Sequence, residues 1–252
     1  MPGDPNKLLA LGEELVDLAH AMIEQASVSF KEFGSASVIL GLYAKSVKTF
    51  QATHALCKAG FAEDAQSLLR CLTEILAGIR YIQKKDSEKR AEEYIHYTSM
   101  QYLKLLNATE KNPGLKGLFS KDHRKMILGR AKKAQKAMGE KEFKRRYKKN
   151  AWHGRGIEEV FRIVDLQSLY DLPFRMGSAS VHATDLFDHI KIDGGELILN
   201  MLPEDRWNVT VLSTSTWVFI HILLEVDEKC NLKSKQSIEE KHEKFTQITG
   251  VK

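Results

Sequence analysis

Apolar residues recur every three to four positions through the first 112 residues, which is the spacing of an amphipathic helix. The pattern predicts four helices, at about 5–25, 35–59, 61–85 and 87–112. The third has acidic residues in its first turn and basic residues in its last, as the helix dipole favours, and its leucines and isoleucines give it the strongest core-facing stripe.

The second half of the chain continues the helical pattern with more interruptions. A charged helix with a thin apolar stripe is predicted within 116–150, and Gly139 interrupts it. Pro173 begins or kinks a later helix, and 190–203 is predicted as a small hairpin or an ordered loop. We therefore predict an all-α fold, a single multi-helix bundle of about seven or eight helices over 1–252. The basic segment is a long helical insertion or arm on it.

Positive charge is concentrated in this basic segment. The chain has a net charge of +5, whereas 116–149 carries fourteen Lys or Arg residues and three acidic ones, a local balance of +11. The remainder of the chain is therefore at −6. A basic segment on an acidic body predicts RNA or another polyanion as a partner.

Composition limits the classes of protein to consider. Three widely spaced cysteines indicate neither a disulfide framework nor a zinc knuckle, so we expect a reducing, cytoplasmic location. The most apolar predicted helix, 207–226, carries eight polar residues, so we expect no membrane association. The sequence lacks the phosphate-binding loop, the dinucleotide-binding glycine motif, the hydrolase elbow and C-x-x-C.

The candidate chemistry is concentrated between Trp152 and His189. Arg175 and His182 lie seven residues apart, nearly two helical turns, so a helix would place them on one face. An arginine and a histidine so placed suit metal-independent RNA cleavage, in which the ribose 2′-hydroxyl attacks the adjacent phosphate. Similar spacings occur at Arg90 to His96 and Arg146 to His153, and the alternative is that His182 caps a helix or forms a hydrogen bond inside the bundle.

Two further sets of residues admit more than one interpretation. His182, Asp185 and His189 have the spacing of a facial metal triad, with His153, Asp165 or His221 as a fourth ligand. Arg70 and Glu74 either form an ion pair that fixes the helix register, or Arg70 supplies a second cation to the site. The predicted RNA-binding residues mix cations with an aromatic ring, although such a row is also typical of a solvated helix face: Lys144, Arg145, Arg146, Lys148, Lys149 and Trp152.

Two stretches, AQSLLRCLTEILAGIRYI and LYDLPFRMGSASVHATDL, resemble the bacterial helical family known as domain of unknown function 5677. The resemblance covers roughly 35–189 and implies no activity. It rests on Arg70, Glu74, Trp152, Tyr170, Ser180 and His182.

More distantly, the Arg175 to His182 spacing is similar to that of the all-helical HEPN superfamily, which includes dimeric RNases of toxin–antitoxin and phage-defence systems. The resemblance implies catalytic roles for Arg175 and His182, a homodimer, and an antitoxin partner, with no cofactor. Met176 departs from the polar residue usual after the arginine. Arg70, Glu74, Tyr170, Ser180 and Asp185 would support the pair. The alternatives are a non-catalytic helical interaction module and a metal-dependent hydrolase that uses His182, Asp185 and His189.

Overall fold

Four long helices occupy the first part of the chain in the computed structural model, which describes residues 3–25, 34–149, 151–184, 186–200, 202 and 206–251. Each has the bounds that its apolar periodicity predicts within a few residues. These helices are α1 (Pro5–Gln25), α2 (Ser35–Lys58), α3 (Ala62–Lys84) and α4 (Ser87–Lys111).

The basic segment forms a short 3-10 turn, Pro113–Leu115, followed by α5 (Lys121–Met138) and α6 (Glu140–Lys149). Ser120 caps α5, since its hydroxyl oxygen accepts a hydrogen bond from the backbone N–H of His123 at 3.2 Å. Both helices pack on α4. They share a small apolar cluster around Met100, Ala134 and Phe143, separate from the main core.

Short elements follow, as the Gly and Pro residues of this part predict. They are α7 (Ile157–Ile163), α8 (Gln167–Leu169), a π-helical turn over Tyr170–Phe174, α9 (Arg175–Val181) and α10 (Leu186–His189). Next come strands β1 (Ile190–Asp193) and β2 (Glu196–Leu199), an antiparallel pair in the register Ile190 to Leu199. The turn between the strands uses Gly194 and Gly195 at positive φ, which glycine adopts without strain.

The last two helices, α11 (Asn208–Cys230) and α12 (Lys235–Thr249), complete the bundle. Helix α11 packs against α1, α2, α3 and α12, and Phe219 stacks on Phe50 of α2 with ring centroids 4.2 Å apart. Among the described residues, α11 alone is long and apolar enough to cross a membrane by length and composition. Most of its apolar stretch is buried inside the bundle, as in a core helix.

Helix α1 joins α12 through Glu14, whose carboxylate lies 2.7 Å from the Lys241 ammonium and also pairs with Lys244. Both lysines lower the pKa of Glu14 through hydrogen bonds.

The described residues confirm the predicted all-helical bundle. They also decide between hairpin and ordered loop at 190–203, in favour of the hairpin at 190–199.

Candidate functional site

Helix α9, which carries the predicted catalytic pair, lies directly on α3. Gly177 faces the backbone of α3, where an added Cβ would lie 2.4 Å from the carbonyl oxygen of Gln66 and 2.7 Å from Cβ of Arg70. Real Cβ atoms do not approach other atoms this closely, so only glycine permits this contact. The packing fixes the position of α9 and turns its opposite face to solvent.

Arg175 and His182 lie at the two ends of α9, and both side chains are exposed. The Arg175 guanidinium carbon lies 5.3 Å from the centroid of the Tyr170 ring, a cation–π contact. His182 follows the last residue of α9 and leaves the helical backbone conformation, while its N–H still donates to the Ser178 carbonyl at 3.1 Å. Because His182 is exposed, its imidazole is on the surface and not inside the bundle.

The serine-rich part of α9 contacts α3 and the preceding turn. The Ser180 hydroxyl lies 3.3 Å from the Ser67 hydroxyl and 3.5 Å from the Glu63 carbonyl oxygen. Ser178 donates to the Phe174 carbonyl at 2.8 Å. These bonds hold the helix in place, so Ser180 acts in positioning.

A series of cation and ring contacts connects α9 to α3. The Arg70 guanidinium carbon lies 4.7 Å from the centroid of Phe174, and Phe174 stacks on Tyr170 at 5.1 Å. Tyr170 in turn lies under Arg175. The predicted supporting residues Arg70 and Tyr170 therefore form one contact series with Arg175.

Arg70 also lines a cleft of about 590 Å³ between α2, α3, α4 and the loop that precedes α7. Three cationic side chains line it, Lys45, Arg70 and Arg155, together with the carboxylate of Glu74. Its remaining walls include the aromatic side chains of Tyr94, Tyr97 and Trp152.

Glu74 is the electrostatic centre of this cleft. Its Oε1 accepts a hydrogen bond from Arg70 Nε at 3.2 Å. Burial against the cleft walls raises the pKa of Glu74, although 43% of the side chain is exposed and Arg70 opposes the shift. Burial also raises the pKa values of Tyr94 and Tyr97, and the charge of Glu74 adds to both. The four groups are thus close enough to influence one another.

His153 contributes a neutral imidazole to the cleft wall. It is 9% exposed, and burial, with a further contribution from Arg146, lowers its pKa to about 4. Its Nδ1 accepts a hydrogen bond from the backbone N–H of Arg155 at 3.2 Å. The neutral ring therefore carries its proton on Nε2 and is a donor there.

The basic segment differs from the predicted RNA-binding row. Arg146 is 8% exposed, and its guanidinium lies 2.7 Å from Glu142 and 3.2 Å from Glu93 and also donates to the Trp152 carbonyl. It is a structural residue, since a phosphate would have to displace these acceptors. Trp152 is wedged edge-on between Tyr81 and Tyr94, at 5.5 and 5.1 Å.

The other cations of the row are at the surface. Lys144 pairs with Glu140 at 2.5 Å, and Arg145 pairs with Glu142 at 2.7 Å. Lys148 is exposed. Lys149 ends α6, and its side chain lies outside the described residues.

The alternative metal triad is only partly visible. His189 Nε2 lies 3.5 Å from Glu63 Oε1, His182 is exposed, and Asp185 lies outside the described residues. Within the described ranges, no group of three His, Cys, Asp or Glu side chains is arranged to hold a metal. The proposed fourth ligands lie in other surroundings: His153 in the cleft, Asp165 beside Lys84, and His221 against Trp217.

Sequence reasoning missed Lys45, Tyr94, Tyr97 and Arg155. Arg155 had a weak signal, since it lies between Gly154 and Gly156 where the chain turns back toward α3. The other three lie in ordinary amphipathic helices, and only the folded arrangement brings them to Arg70.

Comparison with known proteins gives one family. The family described as Family of unknown function (DUF5677) matches residues 36–197, which is more than half of the chain and runs from α2 through β1 into β2. No curated protein and no solved structure matches.

Proposed function

We propose that this chain, which belongs to the family of unknown function DUF5677, is a metal-independent endoribonuclease of the HEPN type. The observation that carries the proposal is the exposure of Arg175, the first residue of α9, and of His182, its C-cap, on a short helix that Gly177 holds against α3. A nuclease needs its phosphate-binding cation and its proton-transfer group accessible to a strand and rigidly placed.

In the proposed reaction His182 removes the proton of a ribose 2′-hydroxyl, and the 2′-oxygen attacks the adjacent phosphorus. The 2′-oxygen–phosphorus bond forms as the bond from phosphorus to the 5′-oxygen breaks, and the leaving 5′-oxygen takes a proton from a donor on a second copy of the chain. Arg175 stabilises the charge on the phosphoryl oxygens. The products are a 2′,3′-cyclic phosphate and a 5′-hydroxyl end.

A homodimer is part of this proposal. Seven residues at a rise of about 1.5 Å each separate Arg175 and His182 by about 10 Å along the helix, and we propose that a second copy supplies the proton donor at the same phosphate. The side chains of Val181 and Leu186, on either side of His182, are exposed by 52% and 55%. A toxin–antitoxin or phage-defence setting, with an antitoxin as partner, follows from the same resemblance.

The test is incubation of the purified protein with single-stranded RNA in EDTA, with the chemistry of the new ends identified. We expect cleavage to cyclic-phosphate ends, and a loss of at least ~100-fold in rate for His182→Ala and for Arg175→Ala. His20→Ala and Arg162→Ala, which change exposed residues of α1 and α7, are the matched controls and keep the wild-type rate.

Full activity in His182→Ala would refute the assignment. Activity lost in EDTA and restored by added Zn²⁺ or Mn²⁺ would favour the hydrolase of His182, Asp185 and His189 instead.

A non-catalytic interaction module is the second candidate, favoured by the surface of the hairpin. Four of its apolar residues are exposed, among them Ile192 by 78% and Leu197 by 63%. Exposed apolar groups of this kind are typical of protein contact sites. Folded wild-type protein that leaves RNA intact under all conditions would support this candidate over the nuclease.

A further inference from the structure

We infer that the cleft lined by Lys45, Arg70 and Glu74 is a nucleotide-binding site, which takes a phosphate-bearing nucleotide whose base offers N–H donors. The inference concerns binding in the cleft and holds whether or not Arg175 and His182 cleave RNA.

The cationic groups of the cleft have capacity for a phosphate. Lys45 is exposed to the cleft, and its ammonium has no carboxylate partner among the described residues. Arg70 bonds Glu74 through Nε, and within the same ranges no protein acceptor is found for its two terminal nitrogens. An arginine fork and a lysine point charge together match the oxygens of a phosphate group.

The aromatic walls suit a nucleobase. Edge contacts with Tyr81 and Tyr94 hold the Trp152 ring in place. Binding a base therefore costs no conformational entropy for ordering this side chain. Tyr97 also lines the cleft. Stacking on aromatic rings stabilises a bound base and tolerates any base, since every base has a π-face.

Glu74 provides the selection among bases. An ionised carboxylate only accepts hydrogen bonds, and with one bond to Arg70 it keeps most of its acceptor positions. Guanine offers two adjacent donors on its pairing edge, adenine and cytosine offer an amino group, and uracil offers one N–H between two carbonyls. We therefore expect the order of affinity guanine, then adenine and cytosine, then uracil.

The space suits one nucleotide and leaves room for a strand. A volume of about 590 Å³ lies within the range of ligand sites, about 300–1,000 Å³. A neighbouring groove of about 580 Å³ shares Lys45 and Tyr94 and continues to Arg130 and Lys133 of α5. The nucleotide is thus either free in solution or one unit of an RNA strand, and the chemistry of recognition is shared.

The experiment is a calorimetric titration of the full chain with GMP, AMP, UMP and inorganic phosphate, in EDTA. Two cleavage-resistant 2′-O-methyl tetranucleotides, one with and one without guanine, form a separate arm. We expect GMP to bind at least ~10-fold more tightly than UMP. Binding of GMP alone indicates a free nucleotide, and binding of the guanine tetranucleotide alone indicates an RNA unit.

Variants assign the two parts of the site. Lys45→Ala weakens binding of every nucleotide about tenfold, since a phosphate contact is lost. Glu74→Gln reduces the affinity for GMP to that for UMP. Lys48→Ala, one turn further along α2 and exposed, is the matched control and binds as the wild type does. Calorimetry in EDTA with cleavage-resistant oligonucleotides reports binding alone, so its outcome is separate from that of the nuclease assay.

Two results would overturn the inference. One is phosphate binding as tightly as GMP, which leaves only an anion site without a base pocket. The other is an unchanged GMP affinity in Lys45→Ala and Glu74→Gln that keep the wild-type circular dichroism.

Discussion

The cleft at Arg70 and the helix α6 contain the same residue types, yet they use their charges differently. In α6, Glu142 accepts hydrogen bonds from Arg145 and Arg146, and these bonds lower its pKa to about 2. In the cleft, Glu74 has one arginine partner and a pKa raised by burial, while Lys45 has no acidic partner within the described part of the chain. A dense row of cations in a sequence therefore does not measure the positive charge that a ligand meets.

We expect the largest effect when a cation that is already neutralised is removed. Arg146→Met leaves Glu93 and Glu142 without their buried partner, so we expect a loss of about 3 kcal/mol in the free energy of unfolding. Urea denaturation measures it. Arg145→Met, at an exposed pair, changes the same quantity by less than about 0.5 kcal/mol. Equal effects from the two substitutions would contradict a structural role for Arg146.

Two helical glycines, Gly177 and Gly129, are expected to respond to alanine with opposite changes in stability. Gly177→Ala places a Cβ against Gln66 and Arg70, so we expect about 2 kcal/mol of destabilisation through overpacking. Gly129→Ala, in α5, meets nothing within 4 Å and is expected to stabilise by about 0.5–1 kcal/mol. Thermal denaturation of both variants gives the two signs, and stabilisation by Gly177→Ala would show that α9 is not held as described.

A third prediction concerns the protonation of His153 in the wall of the cleft. His153 has a folded pKa of about 4 against about 6.5 when unfolded, so the unfolded chain binds the proton first as the pH falls. Its contribution is complete above about pH 6.5 and is lost progressively toward pH 4. Between pH 7 and pH 5 we expect this histidine to account for about 1–2 kcal/mol of lost stability.

Denaturation at several pH values tests this contribution. His153→Gln should flatten the dependence relative to the wild type, whereas His123→Gln, at an exposed position of α5, should leave it unchanged. Parallel curves for wild type and His153→Gln would show that His153 is not held neutral by burial.

The helical fold could be predicted from the sequence because the apolar periodicity of a long helix is a local pattern. The periodicity over 5–25 and 87–112 agrees with α1 and α4 within a residue at each end, since apolar spacing and stop signals are local. The Gly pair at 194–195 indicated a turn but could not separate a hairpin from a loop, because strand pairing depends on the folded register.

The site followed only in part. Arg70 and Glu74 were found because they are four residues apart on one helix, whereas Lys45 and Tyr94 join them from two other helices. The burial of Arg146 depends on Glu93, 53 positions earlier in the chain, so its basic neighbours gave no warning. Arg175 and His182 had a spacing signal, but the contact of Gly177 that places their helix is visible only in three dimensions.

The ion pairs of Glu14 with Lys241 and Lys244 also bear on how the bundle assembles. Helix α1 packs on α11 and α12, which lie roughly two hundred residues later in the chain. Helices α2 and α3 also pack on α11. Such distant pairings raise the entropic cost of the transition state and slow folding. During synthesis, the earliest helices must wait for the latest before their apolar faces are covered, so this interval is when the chain is most exposed to aggregation.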